Sequence, residues 1–166
     1  LQFHEKAVSD ICSRFNVKRQ KLSAHFTLKA PFETESEEDV KEIENKISEF
    51  IKSKTKQKIE INGLDHFRSD VIFMKVIPSK EALLIYNEFT KMLKKIKWLT
   101  WKKHDGNQKT FHCTIVTHLT ENNFTSIWNY AKMKYNPHFS EYFDNISLLK
   151  WESKYNRWIT YKEFKF

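Results

Sequence analysis

Glycine is scarce in this chain, which has two glycines, Gly63 and Gly106, among its 166 residues. The phosphate-binding loop of nucleotide hydrolases and the glycine-rich turn of dinucleotide-binding folds each need several closely spaced glycines, so both are excluded. The GxSxG turn of serine hydrolases and the HExxH helix of zinc proteases are missing as well. Any chemistry that the chain performs therefore uses another arrangement of residues.

Cysteine and long apolar runs are also in short supply. Cys12 and Cys113 form no CxxC pair and have no zinc-ligand spacing, so we expect two reduced, buried thiols and no metal site. No stretch approaches the roughly 18 consecutive apolar residues that cross a bilayer, and no secretory leader is visible. We expect a cytoplasmic monomer without a membrane partner, and we expect the natural start before Leu1 to be missing.

Basic and aromatic residues, by contrast, are abundant. The formal net charge is +8, which favours anionic partners such as nucleic acid or phosphorylated metabolites. Hydrophobic residues make up 40% of the chain and aromatic residues 15%, enough for a packed interior. We therefore expect one folded domain over residues 1–166 with an RNA or nucleotide partner.

Hydrophobic spacing divides the chain into helices and strands that do not alternate strictly, which is typical of an α+β fold with antiparallel pairing. Ser36 has the spacing of a helix N-cap, because Asp39 follows three residues later. Gly63 interrupts the alternation of its strand and predicts a bulge or bend. The predicted helices cover residues 5–16, 37–54, 79–96 and 121–133, and the predicted strands cover 22–29, 57–67, 70–77, 110–117, 142–151 and 157–165.

One short motif occurs in each half of the chain. Residues 25–28 read His-Phe-Thr-Leu and residues 112–115 read His-Cys-Thr-Ile. A single His-x-Thr triplet arises easily by chance, but two copies in predicted strands, each followed by an aliphatic residue, are a stronger signal. Each half also continues with a helix and two more strands, which suggests two similar lobes that face each other. The alternative is a pair of ordinary half-buried strand histidines.

Strand geometry gives the motif a chemical meaning. Side chains alternate across a strand, so His25 and Thr27 share one face, as do His112 and Thr114. Cleavage of a phosphodiester needs a base for the attacking oxygen and an acid for the leaving oxygen, and histidine can do either near neutral pH. Threonine hydroxyls can donate to nonbridging oxygens and stabilise the developing charge. The sequence does not decide which histidine is the acid.

With these motifs the chain resembles the 2H phosphoesterase superfamily, and within it the 2′-5′ RNA ligase-like and cyclic phosphodiesterase branch. The resemblance implies two pseudo-symmetric lobes of antiparallel strands with outer helices and an active-site cleft between them. It also implies a reaction without metal or cofactor, with His25, Thr27, His112 and Thr114 as the catalytic set. Members usually begin with a strand, so we expect that a first strand before residue 1 is missing.

Further residues are candidates for substrate binding. Aromatic side chains in the cleft could stack a base, although each could instead belong to the core. The loop over 97–109 mixes tryptophan and lysine and could be a lid, a nucleic-acid contact or a solvated loop. The substrate-binding candidates are the aromatic residues Phe32, Phe67, Trp158 and Tyr161 and the basic residues Lys29 and Arg157.

The function expected from these observations is hydrolysis of a 2′,3′-cyclic phosphate or a 2′-5′ phosphodiester. The same histidine pair working in the opposite direction would make the chain an RNA 2′-5′ ligase. Two rivals remain open. One is an RNA- or nucleotide-binding module without turnover, and the other is a metal-dependent hydrolase.

Overall fold

The computed structural model describes residues 2–19, 22–102, 105 and 110–166. Within these ranges, none of the helices is long and apolar enough to cross a membrane. The helices are α1 (Gln2–Phe15), α2 (Glu37–Ile51), α3 (Lys80–Leu93) and α4 (Glu121–Lys134). The strands are β1 (Gln57–Phe67), β2 (Val71–Pro78), β3 (His112–Val116), β4 (His138–Phe143), β5 (Asn145–Glu152) and β6 (Arg157–Lys165).

Serine side chains fix where two of the helices begin. The Ser36 hydroxyl accepts a hydrogen bond from the backbone N–H of Asp39 at 3.2 Å, at the start of α2. The Ser79 hydroxyl accepts one from the backbone N–H of Ala82 at 3.1 Å, at the start of α3. Each cap satisfies a backbone donor that has no partner inside the helix. The predicted N-cap at Ser36 is confirmed.

Four strands form one antiparallel sheet in the order β3-β2-β1-β4. The register between β1 and β2 shifts between Ile61 and Leu64, which confirms the predicted bulge. Gly63 sits in this bulge with a φ of 76°, a left-handed conformation that glycine adopts without a Cβ clash.

The two faces of this sheet have different neighbours. On one face, Ile59, Ile72 and Met74 are buried, and the packing helices are α1 on β3 and α3 on β1 and β2. Each large apolar side chain buried in this way contributes about 1.5–3 kcal/mol to folding. The opposite face, called the open face below, carries exposed residues such as Lys58 and Glu60, although Phe73 on this face is buried.

Strands β5 and β6 form a separate antiparallel ribbon, and α2 packs against β6. Ile146 and Phe164 are paired across the ribbon and are both buried. Lys162, which shares the face of Phe164, donates a hydrogen bond of 2.7 Å to Glu44 of α2. The predicted α+β class with antiparallel strands and outer helices is confirmed, and in the described residues the two sheets have four and two strands.

Two predicted strands need correction. The segment over 22–29 is irregular rather than a strand. Its alternation is typical of a strand, but the segment belongs to neither sheet in the described part of the chain, and just beyond it the Ala30 N–H donates to Asp105 instead. The predicted strand over 142–151 is two strands, because the chain leaves the large sheet at Asp144 and continues in the ribbon.

Candidate functional site

His112 lies at the start of β3 and its ring is held in one orientation. Its Nδ1 lies 2.9 Å from the carbonyl oxygen of Thr110, two residues earlier. A carbonyl only accepts, so Nδ1 carries the proton of the neutral ring and Nε2 keeps a free lone pair. The rings of Phe67 and Phe73 pack against it, with centroids 4.9 and 5.1 Å away. His112 therefore presents Nε2 from a fixed position on the open face.

His25 has the same local arrangement in a different backbone setting. Its Nδ1 lies 2.8 Å from the carbonyl oxygen of Ser23, again two residues earlier. The neutral ring is therefore also protonated on Nδ1, and Nε2 is again the nitrogen left for chemistry. His25 is exposed, whereas His112 is half-buried. The two motifs thus prepare their histidines in the same tautomer.

The structure brings the main chains of the two motifs together. The backbone of His25 lies beside the thiol of Cys113, the residue after His112, and acts to lower the pKa of that thiol against the larger effect of burial. The ring of Phe26 meets the ring of Phe111, the residue before His112, edge-on at a centroid distance of 5.7 Å. Contacts on both sides of His112 therefore hold the first motif beside the second.

The two threonines differ in how they are held. Thr114 lies two residues after His112 on β3 and pairs with Phe73, which puts it on the open face. Its carbonyl accepts a hydrogen bond of 2.8 Å from Nε2 of the buried His4 in α1. Thr27 lies in the irregular segment and is half-buried. Among the described residues neither threonine hydroxyl has a hydrogen-bond partner, so both can donate to a ligand.

His4 supports this strand and was not among the candidates from sequence. Burial lowers the pKa of His4, although its hydrogen bond to Thr114 works in the other direction. A neutral imidazole with its proton on Nε2 suits the carbonyl of Thr114. His4 lies just before the first predicted helix, and its partner is 110 residues away in the chain and could not be read from the sequence.

Cys113 lies between the two motif residues on β3 but points into the core. Burial raises the pKa of the Cys113 thiol to about 11. The thiol therefore stays protonated at neutral pH and is a poor nucleophile. Cys12 is also free and buried, which confirms the prediction for both cysteines.

Of the aromatic candidates, Phe67 and Trp158 lie near the motifs. The side chain of Phe67 is 38% exposed and its ring contacts that of His112, so part of its face remains open to a ligand. Trp158 is half-buried on β6 and meets Trp151 edge-on at 5.5 Å. It lines a depression of 260 Å³ together with Ser23, whose carbonyl holds His25.

Phe32 and Tyr161 have other neighbours. The ring of Phe32 is half-buried and packs against Trp98 at 6.0 Å. The hydroxyl of Tyr161 donates to Glu44 of α2, and this bond raises the pKa of Tyr161. Phe32 thus contacts the chain that follows α3, and Tyr161 contacts α2. Neither contact supports a role in stacking a base.

The two basic candidates also differ. The Lys29 side chain is 7% exposed, and its ammonium lies 2.9 Å from Asp105, so the structure gives no support to the prediction that it contacts phosphate. Arg157 lines the same depression as Trp158 and Ser23, and its Nε lies 3.7 Å from Glu152. That Nε is buried and has no hydrogen-bond partner among the described residues, so it is enclosed and gives no support to a contact with an anion.

A lysine that is not among the predicted site residues lies beside His112. Lys75 is the charged residue of the otherwise apolar β2, and its Cα pairs directly with that of His112. A charge inside an apolar strand was the signal that could have identified it.

In the described ranges, no group of three or more His, Cys, Asp or Glu residues could hold a metal ion. Six of the thirteen residues of the loop predicted over 97–109, namely 103, 104 and 106–109, lie outside the described residues.

Comparison with known proteins gives the family. No curated protein sequence matches this chain. The crystal structure of TT0787 of Thermus thermophilus has a similar fold, with a TM-score of 0.62 at 11% sequence identity, covering 97% of this chain and 92% of that chain. The family model described as the 2'-5' RNA ligase superfamily matches residues 3–154, which include both His-x-Thr motifs. The predicted resemblance is thereby confirmed, and this chain belongs to the 2'-5' RNA ligase superfamily of 2H phosphoesterases.

Proposed function

We propose that this protein hydrolyses 2′,3′-cyclic phosphates or 2′-5′ phosphodiesters of nucleotides or RNA without a metal ion. The observation that carries the proposal is the shared state of the two histidines. His25 and His112 each donate Nδ1–H to the carbonyl two residues earlier, so each keeps Nε2 for proton transfer. A binding module needs charge and stacking but has no use for two histidines held in one tautomer.

In the proposed reaction one histidine takes a proton from water through Nε2. The water oxygen forms a bond to phosphorus while the bond from phosphorus to a sugar oxygen breaks. The other histidine, protonated at the outset, gives its Nε2 proton to that leaving oxygen. A cyclic phosphate opens to a phosphate monoester, whereas a 2′-5′ linkage is cut into one fragment that carries a phosphate monoester and one that carries a free hydroxyl. Run in reverse, with the sugar hydroxyl as the nucleophile, the same exchange of protons forms the bond.

The threonines and the cleft aromatics have supporting roles in this proposal. The free hydroxyls of Thr27 and Thr114 donate to nonbridging oxygens of the phosphate, where charge increases in the transition state. Phe67 and Trp158 provide faces for bases beside the two histidines, and stacking is worth about 1–3 kcal/mol per base. The net charge of +8 favours a phosphate-bearing substrate over a neutral one.

The test is hydrolysis of 2′,3′-cyclic nucleotides and 2′-5′-linked dinucleotides in excess chelator. We expect turnover by the wild type and a loss of at least about 100-fold in kcat for His25→Ala and for His112→Ala. His138→Ala is the matched control, since His138 is exposed on β4 at the far edge of the same sheet. Activity that disappears with chelator would favour a metal-dependent hydrolase, and binding without turnover would favour the binding module.

A further inference from the structure

Lys75 occupies a position on the open face that neither motif accounts for. Directly paired residues of antiparallel strands put their side chains on the same face, so Lys75 shares its face with His112. Phe73 and Thr114, paired one step along, lie on that face too. A positive charge is thus set one strand away from the histidine of the second motif.

The ammonium of Lys75 stands out among the lysines that are half-buried. Four lysines in the described part of the chain are half-buried, and three of them pair with a carboxylate. Lys75 has no ion pair and no hydrogen bond among the described residues. Partly burying a charge without a partner costs free energy, so such a charge needs another source of compensation. The paired lysines are Lys29 with Asp105, Lys46 with Glu42 and Lys54 with Glu88.

The surroundings of Lys75 keep the ammonium available. Its side chain runs over the bulge at Gly63, where a Cβ would lie 3.6 Å from Lys75 Cε and 3.8 Å from Nζ. The neighbouring position therefore offers bare backbone rather than a side chain that could pair with it. Two carboxylates of β1 share this face: Glu60 lies 3.3 Å from the ammonium of Lys58, and Asp65 accepts a hydrogen bond from the backbone N–H of His66.

We propose that Lys75 is a further catalytic residue, whose ammonium binds a nonbridging oxygen of the phosphate held between the two histidines. This inference rests on the proposed function and adds a residue to it. The phosphate supplies the partner that the half-buried ammonium lacks. Since negative charge on the nonbridging oxygens increases during attack, a fixed positive charge there binds the transition state more tightly than the substrate.

The test compares Lys75→Met, which removes the charge, with Lys75→Arg, which keeps it. Lys58→Met is the matched control, because Lys58 is exposed on the same face and paired with Glu60. Binding of adenosine 2′-monophosphate and of uncharged adenosine is measured by calorimetry, and turnover is measured on a 2′,3′-cyclic nucleotide. Thermal unfolding of each variant checks that it is folded.

We expect Lys75→Met to bind the monophosphate at least about tenfold more weakly while its affinity for adenosine is unchanged. Its kcat/KM should fall by about 100-fold, with Lys75→Arg recovering most of the loss and Lys58→Met behaving as wild type. Wild-type binding of the monophosphate by Lys75→Met would overturn the inference. If Lys75→Met fails to fold, Lys75→Gln takes its place under the same criteria.

Binding separates failure of this inference from failure of the proposed function. If the wild type binds the monophosphate and Lys75→Met does not, but no cyclic nucleotide or 2′-5′ linkage is cleaved, the phosphate contact stands and the proposed reaction falls. If the wild type cleaves its substrate and Lys75→Met cleaves it equally well, the reaction stands and Lys75 has no part in it.

Discussion

Removing the ammonium of Lys29 tests whether one buried ion pair holds the first motif in place. Lys29 Nζ lies 2.9 Å from Asp105 Oδ2, and the two side chains are 7% and 3% exposed. Asp105 also accepts hydrogen bonds of 3.0 Å from the backbone N–H groups of Ala30 and Lys102. Lys29→Met removes the charge while keeping a side chain of similar length beside Trp101, over which the ammonium lies.

The expected loss of stability in Lys29→Met follows from the charge of Asp105, which stays buried when its partner is removed. Removing one partner of a buried ion pair costs about 3–5 kcal/mol, because the other charge is left uncompensated. The two backbone donors stay on Asp105 and reduce this cost, so we expect the free energy of unfolding to fall by about 3 kcal/mol. Asp105 supplies its charge at neutral pH: burial would raise its pKa, but the hydrogen bonds from Lys102, Lys29 and Ala30 outweigh burial and lower it.

The lowered pKa of Asp105 in the folded state also sets the pH range in which this carboxylate stabilises the fold. The stability provided by Asp105 is present above the unfolded pKa of about 3.9 and is lost as the pH falls through the lower folded value.

The assay is urea unfolding followed by tryptophan fluorescence at pH 7, for Lys29→Met, Asp105→Asn and the double variant. The double variant should lose at least about 1 kcal/mol less than the sum of the single losses.

The control for this prediction is an exposed ion pair of the same kind. Lys52 and Glu49 lie 2.5 Å apart with side chains that are 69% and 74% exposed. We expect Lys52→Met to cost less than about 1 kcal/mol, since solvent screens an exposed pair. A loss for Lys29→Met no larger than that of this control would refute the reasoning.

Three further predictions concern the acid limit, the bulge and substrate binding. Tyr135 donates to Asp10 and helps to lower the pKa of Asp10 to about 2, so Asp10→Asn should lower the Tm at pH 7 and progressively less from pH 4 towards pH 2. Gly63→Ala should cost about 1–2 kcal/mol in urea unfolding, because its φ of 76° strains a residue with a Cβ. Phe67→Leu should raise KM about tenfold in steady-state assays and leave Tm nearly unchanged, since it removes a stacking surface. A Tm difference between Asp10→Asn and the wild type that does not shrink from pH 4 towards pH 2 would contradict the first prediction. An unchanged free energy of unfolding for Gly63→Ala would contradict the second, and an unchanged KM for Phe67→Leu would contradict the third.

The sequence predicted the features that depend on neighbouring residues. The cap at Ser36 and the bulge at Gly63 both follow from side-chain and backbone rules that act over three or four positions. The two His-x-Thr motifs were recognisable for the same reason, and the hydrogen bonds of His25 and His112 reach only two residues back. Local chemistry of this kind is visible in the chain itself.

The features that depend on distant residues could not be predicted. The partner of Lys29 lies 76 residues away, and without it a lysine beside a motif resembles a phosphate ligand. The predicted strand over 22–29 was wrong because strand pairing depends on distant partners, and the segment belongs to neither sheet in the described residues. Lys75 differs, since its charge inside an apolar strand was visible in the sequence, but its lack of a partner and its position beside His112 appear only in the fold.

The central claim is that His25 and His112 act together on one phosphorus. Its most direct test is kcat/KM on a 2′,3′-cyclic nucleotide for the wild type, His25→Ala, His112→Ala and the double variant, each checked for folding. Groups that share one reaction give non-additive losses. We therefore expect each single variant to lose at least about 100-fold and the double variant to lose little more. A single variant as active as the wild type, or losses that multiply in the double variant, would contradict the account.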